Sequence, residues 1–295
     1  MTRQPLVARR AEELLGAAVV ATAPVAGGDI STATRLRLSD GTTALMKTLP
    51  HAPDGFFAEE AAGLRWLDEV TPDGGVHVPE VLGADHECLI IRWVEPGKNS
   101  VDAATALGRA LAVTHAAGAP TYGLDRDGFI GRLPMPNRPA DTWAEFYAAR
   151  RVLPYLKLAR DRGAASAEDA AAIEALLPRL ADLVPEEPPA RLHGDLWNGN
   201  VLWGLDGQAW LIDPAAYGGH REVDLAMLAL FGLPHLPRVL DAYAEAAAAT
   251  RPLADGWEDR VALHQVFPLL VHACHFGGGY AARAAEAAEA AARYA

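Results

Sequence analysis

Asp195, Asn200 and Asp213 are three oxygen-bearing side chains set at the spacing that phosphoryl transfer needs. The run His193-Gly194-Asp195-Leu196-Trp197-Asn198-Gly199-Asn200 puts Asp195 and Asn200 on one tight loop, so that a proton acceptor and a metal ligand converge on the same phosphorus from fixed backbone positions. Beyond them, Val201-Leu202-Trp203, a turn at Asp206-Gly207 and Ala209-Trp210-Leu211-Ile212 read as a β-hairpin. That hairpin carries Asp213 back beside Asn200. In this pattern Asp195 is the catalytic base, and Asn200 and Asp213 hold Mg²⁺. Asp and Asn are also ordinary turn residues, but several independent spacings would have to agree by chance.

The elements before this loop supply what a nucleotide requires. Val19 to Val25, Thr34 to Leu38 and Thr42 to Leu49 read as a strand meander that opens on a turn at Gly27-Gly28-Asp29-Ile30-Ser31. Glycines there let backbone N–H groups approach phosphate oxygens, and Ser31 adds a hydroxyl. The chain has only three lysines, Lys47, Lys98 and Lys157, against 23 arginines. By strand alternation Lys47 shares a face with Leu45 and Leu49, where a charged amine needs an anionic partner. A helix over Asp54 to Glu69, capped by Asp54, places Phe57, Leu64 and Leu67 on one stripe. Glu60 falls on that stripe and is the expected mate for Lys47; Glu59 turns away as a solvated carboxylate. Glu87 to Val94 reads as a further strand, stopped by Pro96-Gly97. Arg92, Trp93 and Val94 stand by position where backbone groups would read an adenine.

From Ser100 onward the pattern is mainly helical: Asp102 to Ala116, Trp143 to Arg162, Ala167 to Val184, Val223 to Leu230, Pro237 to Thr250, Asp259 to Gly277, and an alanine-rich tail. A chain of 295 residues is long enough for two lobes with separate cores. The expected class is α+β, with a mainly antiparallel sheet lobe over residues 1–97 and a larger helical lobe over 98–295.

A net charge of −12 disfavours nucleic acid and anionic membrane surfaces as partners and suits a small neutral or cationic substrate. Two cysteines, Cys88 and Cys274, make no disulfide framework or paired metal site, which points to a reducing cytosol. Arg9-Arg10 ahead of an apolar run imitates a secretory leader, but Glu12 and Glu13 interrupt it, and the stretch is too short to span a bilayer.

Nearly the full length resembles the fructosamine (ketosamine) kinase family of the protein-kinase-like superfamily. The resemblance runs through the glycine turn, Lys47, Glu60, Trp143 with Phe146-Tyr147 and Arg150, the His193 to Asn200 loop, Asp213-Pro214-Ala215, Gly219 to Ala226, and His275-Phe276-Gly277. It implies a two-lobed kinase fold, ATP and Mg²⁺, and phosphorylation of the sugar part of ketosamines borne by amino acids or proteins, with deglycation as the purpose. It puts the segment of His272 and His275 over the substrate pocket, where they can sandwich a sugar against Trp197, and it adds Asn137 and His220 as weaker substrate residues. Asp224 and His193 would position the loop. Gly194 stands where protein kinases carry an activation-loop arginine, and Asp224 follows Asp213 by only eleven positions, so a long phosphorylatable segment does not fit. Trp197 replaces the lysine of many protein kinases with an aromatic face suited to a sugar ring. Some relatives have cysteine at the position of Asp29 and form a disulfide dimer there; this chain cannot. Other readings are a kinase of the same fold acting on an aminoglycoside, a choline-like alcohol or another sugar, and a catalytically silent nucleotide-binding protein.

Overall fold

The computed structural model describes residues 6–26 and 30–294. Helix α1 (Leu6–Leu15) leads into strands β1 (Val19–Val25), β2 (Thr32–Leu38) and β3 (Thr43–Thr48), then α2 (Phe56–Asp68), β4 (Val81–Ala84) and β5 (Cys88–Arg92). These strands form one five-stranded antiparallel sheet in the order β1-β2-β3-β5-β4. Pro24 is tolerated because β1 is an edge. Alternation divides the sheet's two faces. Ala44, Met46, Cys88 and Ile90 pack with Ala11 of α1, whereas Leu45, Leu89 and Ile91 pack with Phe57, Leu64 and Leu67 of α2. Lys47 lies in the register of the second set, so its amine emerges toward α2.

Helix α2 begins two residues later than the expected Asp54 start, and Asp54 does not cap it. Gly55, with φ of 81°, occupies the N-cap position without any side-chain bond, and its carbonyl accepts the N–H of Glu59 at 2.9 Å. A left-handed glycine turns the chain into the helix there, which leaves an acidic cap no role.

The remainder is mostly helical: α3 (Val101–Ala117), the β6–β7 hairpin (Gly128–Ile130 and Leu133–Met135), α4 (Trp143–Phe146), α5 (Leu153–Asp161), α6 (Ala167–Leu176) and α7 (Leu180–Leu183). The chain continues through β8 (Ala190–Leu192), β9 (Val201–Trp203), β10 (Ala209–Leu211), β11 (Tyr217–Gly219), α8 (Glu222–Leu230), α9 (Leu236–Ala247), α10 (Val261–Phe276) and α11 (Tyr280–Ala292). Two of the expected long helices are interrupted. Pro178 tightens Leu177–Arg179 into a 3₁₀ turn between α6 and α7, as a residue without an N–H must, and a π-helical turn over Tyr147–Val152 separates α4 from α5. Among the described residues no helix is long and apolar enough to cross a membrane.

Beneath β11 lies a buried polar network. Arg260 donates from Nη2 to Glu222 Oε1 at 2.6 Å and from Nε to Oε2 at 2.8 Å, and His264 Nε2 meets the same Oε2 at 3.2 Å. The His220 ring stacks on His264 at 5.2 Å. The ligand atoms of His220, Glu222 and His264 fall within 4.8 Å of one another, but Arg260 already neutralises the carboxylate, so the cluster reads as an ion-pair network. Burial alone would raise the Glu222 pKa; the hydrogen bonds of His264 and Arg260 pull it from its ordinary 4.5 down to about 2. A carboxyl held low in the fold stabilises it fully above the unfolded pKa, and that contribution drains away as pH falls from about 4.5 to about 2, amounting to about 3 kcal/mol. Urea unfolding across that window is expected to show the loss in the wild-type protein and a much flatter profile in Glu222→Gln; parallel profiles would contradict it.

Candidate active site

The loop after β8 is held by its backbone. The N–H groups of His193 and Gly194 donate to the two oxygens of Asp224, at 2.8 and 3.0 Å, and Asp224 also receives His115 Nε2 at 3.2 Å. Burial opposes the Asp224 charge, but the His115 hydrogen bond and these loop contacts keep its pKa below the ordinary carboxylate value. Gly194 has φ of 81°, and a side chain there would collide with the Ala215 carbonyl. His193 Nε2 reaches the Ile212 carbonyl at 2.9 Å, while its Nδ1 accepts the Asp195 N–H at 3.3 Å. Those two contacts select the Nε2-protonated neutral tautomer, and burial pushes the ring's pKa down. One neutral imidazole thus ties the loop to the strand end that bears Asp213.

Asn200 Nδ2 donates to the Asp195 carbonyl at 2.8 Å and to Asp195 Oδ2 at 3.1 Å, which leaves Asn200 Oδ1 free of both. The β9–β10 hairpin forms in the expected place, and the Ile212 N–H donates to the Asn200 carbonyl at 3.0 Å. Asp213 follows with φ of 55°, a left-handed backbone that re-aims its side chain. Lys47 Nζ donates to Glu60 Oε1 at 2.5 Å and to Asp213 Oδ1 at 3.0 Å, joining the sheet to the hairpin. Burial works against the ammonium, but Glu60 and then Asp213 outweigh it and raise the Lys47 pKa above its ordinary value. Glu59 pairs instead with Arg126 at 2.6 Å. Asp195 is pushed up to about 7 by burial and the nearby Asp213 charge, against the lowering bond from Asn200.

Lys47, Glu60, Asp195, Asn200 and Asp213 face one cavity of about 580 Å³. Ser31, Lys47, Glu60, Arg92, Trp93 and Val94 line it from the sheet and the segment after β5. Gly27 and Gly28, like Asp29, lie outside the described residues. The Arg92 side chain turns away to Glu80, at 2.5 and 2.8 Å. The N–H groups of Arg92 and Trp93 are spent on the carbonyls of Glu80 and Thr43, whereas the Val94 N–H has no protein acceptor among the described residues. The Trp93 indole is clamped, with Arg35 4.5 Å from its ring centroid and its Nε1 donating to Glu95 at 2.8 Å.

Asn137, Trp197, His272 and His275 line the cavity from the helical side. The Trp197 ring lies directly on Gly199, where any side chain would run into the indole. His272 and His275 are anchored by the carbonyls of Pro268 and Ile130, at 2.7 and 3.3 Å, and burial lowers both pKa values, so both rings are neutral near pH 7. Phe231 was not anticipated. It stands edge-on to Trp197 at 5.8 Å and 4.8 Å from the His272 ring, completing an aromatic row. Its position at the C-terminal end of α8 carries no periodic signal. His220 does not line the cavity: it is fully buried, with Nε2 3.0 Å from Glu187, because the turn before α8 directs it into the network under β11.

The profile of the fructosamine kinase family matches residues 4–293. The chain belongs to that family. It is 37% identical over 262 residues to a probable ketoamine kinase of Thermus thermophilus, covering 87% of this chain and 88% of that one. A solved structure from Thermobifida fusca, provisionally assigned as a fructosamine-3-kinase, superposes with a TM-score of 0.90 at 49% identity and covers 98% of this chain and 99% of its own. A macrolide 2'-phosphotransferase of Brachybacterium faecium, with TM-score 0.62 and 18% identity over 96% of each chain, shares the fold. The two-lobed, protein-kinase-like α+β class expected from the sequence is therefore the fold of this fructosamine kinase family member.

Proposed function

We propose that this chain is an ATP-dependent kinase that phosphorylates a sugar hydroxyl of ketosamines. The observation that carries the reading is the single constellation in which Lys47, Glu60 and Asp213 meet beside Asp195 and Asn200, in a cavity whose other wall is Trp197, His272 and His275. Residues 1–97 would act as the nucleotide lobe and 98–295 as the catalytic and substrate lobe. Two buried free cysteines suit a cytosolic setting, and removal of sugar adducts from amines is the purpose such an activity serves.

Each residue has a role that its surroundings favour. Lys47, held by two carboxylates, meets the α- and β-phosphates, and Ser31 with the glycine turn covers them. The unspent Val94 N–H and neighbouring carbonyls read the adenine edge, with Trp93 as a wall. The donor set fits Mg²⁺: Asn200 Oδ1 and the Asp213 carboxylate are hard oxygens with lone pairs left over from their protein bonds. Bound there, Mg²⁺ would supply charge neutralisation for the phosphates and draw the Asp195 pKa back down. Asp195 orients the acceptor hydroxyl and takes its proton, and the lowering by Mg²⁺ keeps it ionised for that task. Trp197 offers its face to the sugar, opposite the neutral rings of His272 and His275.

An ATP-consumption assay across ribulosamines, erythrulosamines, fructosamines and aminoglycosides, with Asp195→Asn as control, tests the reading. Turnover is expected on ketosamines. Robust activity on an aminoglycoside with none on any ketosamine would overturn the substrate, and no ATP turnover on any acceptor would overturn the activity.

A further inference from the structure

A π turn takes more residues than an α turn and costs backbone energy, so it persists where the altered phase is needed. Between α4 and α5 it moves the inward stripe along by one residue. Trp143 and Phe146 are buried before it, Tyr147, Arg151 and Val152 within it, and Tyr155 and Leu156 after it. Arg150, which the family resemblance singles out, is left to donate to the Arg138 carbonyl at 3.3 Å, while Arg151 enters the core with 0% exposure.

No carboxylate pairs with Arg151 among the described residues. Its charge rests on the faces of Tyr217 and Phe146, at 3.9 and 4.6 Å, and on three oxygens, Pro136 O and Asn137 Oδ1, each 2.6 Å away, and the Arg150 carbonyl at 3.3 Å. Burying an unpaired guanidinium is costly, and an apolar side chain would serve the core more cheaply. What the charge does is hold the segment at Asn137. The Asn137 backbone is pinned as well, its N–H on Asp127 at 2.7 Å and its carbonyl on the Leu124 N–H at 2.9 Å.

Arg151 has donors only, so it dictates which end of the Asn137 amide faces it. The oxygen turns to Arg151, and the NH₂ group is left toward the cavity that Asn137 lines, with no protein acceptor among the described residues. We propose that Arg151 is a positioning residue that fixes Asn137 as a donor-only amide, reading an oxygen of the ketosamine sugar other than the one phosphorylated. This inference rests on the ketosamine reading and names the chemistry of one of its contacts.

The test uses the full chain with a free fructosamine and its monodeoxy analogues. Wild-type protein is expected to lose about 10-fold in kcat/KM on one analogue, and Arg151→Met to lose about 10-fold on the parent while no longer discriminating against that analogue. KM for ATP should stay within about twofold, and Arg151→Lys, which keeps a cationic donor without the planar fork, should recover part of the loss. Asn137→Asp gives Arg151 a counter-ion, so it should melt no lower than wild type, yet it presents only oxygen to the cavity and should lose at least about 10-fold in kcat/KM. Full activity in Asn137→Asp overturns the inference, as does equal loss by Arg151→Met on parent and analogues, the mark of a merely structural role. Wild-type protein inactive on every ketosamine overturns the substrate reading and this inference together, whereas active wild type with unimpaired variants overturns this inference alone.

Discussion

Asp195→Asn protein is expected to lose turnover by about a thousandfold while binding ATP as tightly as wild type and melting no lower. Asparagine is isosteric, the Asn200 amide still finds an oxygen at position 195, and its bond to the backbone carbonyl there, 2.8 Å long, is untouched. Only the proton acceptor is removed. The stability sign follows from the same carboxyl. Burial and Asp213 raise its pKa from an ordinary 3.8 to about 7, so the folded state binds that proton more tightly than the unfolded chain does. Such a group favours folding in acid, and the benefit is lost as pH rises from about 4 toward 7. In metal-free buffer the variant should therefore match wild type near pH 4 and exceed it increasingly up to pH 7. Coupled assays, ATP calorimetry and melts at several pH values check the three parts. Normal turnover would remove Asp195 as the base, and a fall in melting temperature would contradict the burial argument.

What could be read from the sequence was whatever one periodicity or one short spacing determines. Strand alternation put Lys47 on the face of Leu45, and helical spacing put Glu60 rather than Glu59 on the buried stripe; the two side chains meet at 2.5 Å. The hairpin between Asn200 and Asp213 followed from its turn residues. Arg151 was hidden because a π turn breaks the period that would have revealed it. Phe231 and the partners of His220 were hidden for a different reason. Their neighbours, His272 of α10 and Glu187 ahead of β8, come from distant segments, and packing between segments leaves no spacing to read. Asp54 failed as a cap because Gly55 offered a left-handed turn that local propensity ranks below an acidic N-cap.

Asp213→Asn should be the more damaging change to the phosphate side, with kcat reduced on the order of a thousandfold and part of the loss recovered by raising Mg²⁺. The substitution separates charge from backbone. Asp213 sits at φ of 55°, which asparagine accepts as readily, so the chain path is preserved. Lys47 keeps Glu60 at 2.5 Å and an oxygen at position 213 to donate to, but its ion pair with the hairpin is lost. Alanine at the same position removes the charge and also strains the left-handed backbone, by about 1 kcal/mol. The two variants should therefore be equally inactive and yet differ in urea midpoint, with alanine the less stable. Asparagine with activity within tenfold of wild type would take Asp213 out of the Mg²⁺ set. Alanine as stable as asparagine would mean that the left-handed turn carries no strain, and that its service to the site lies wholly in aiming a carboxylate between Lys47 and the metal.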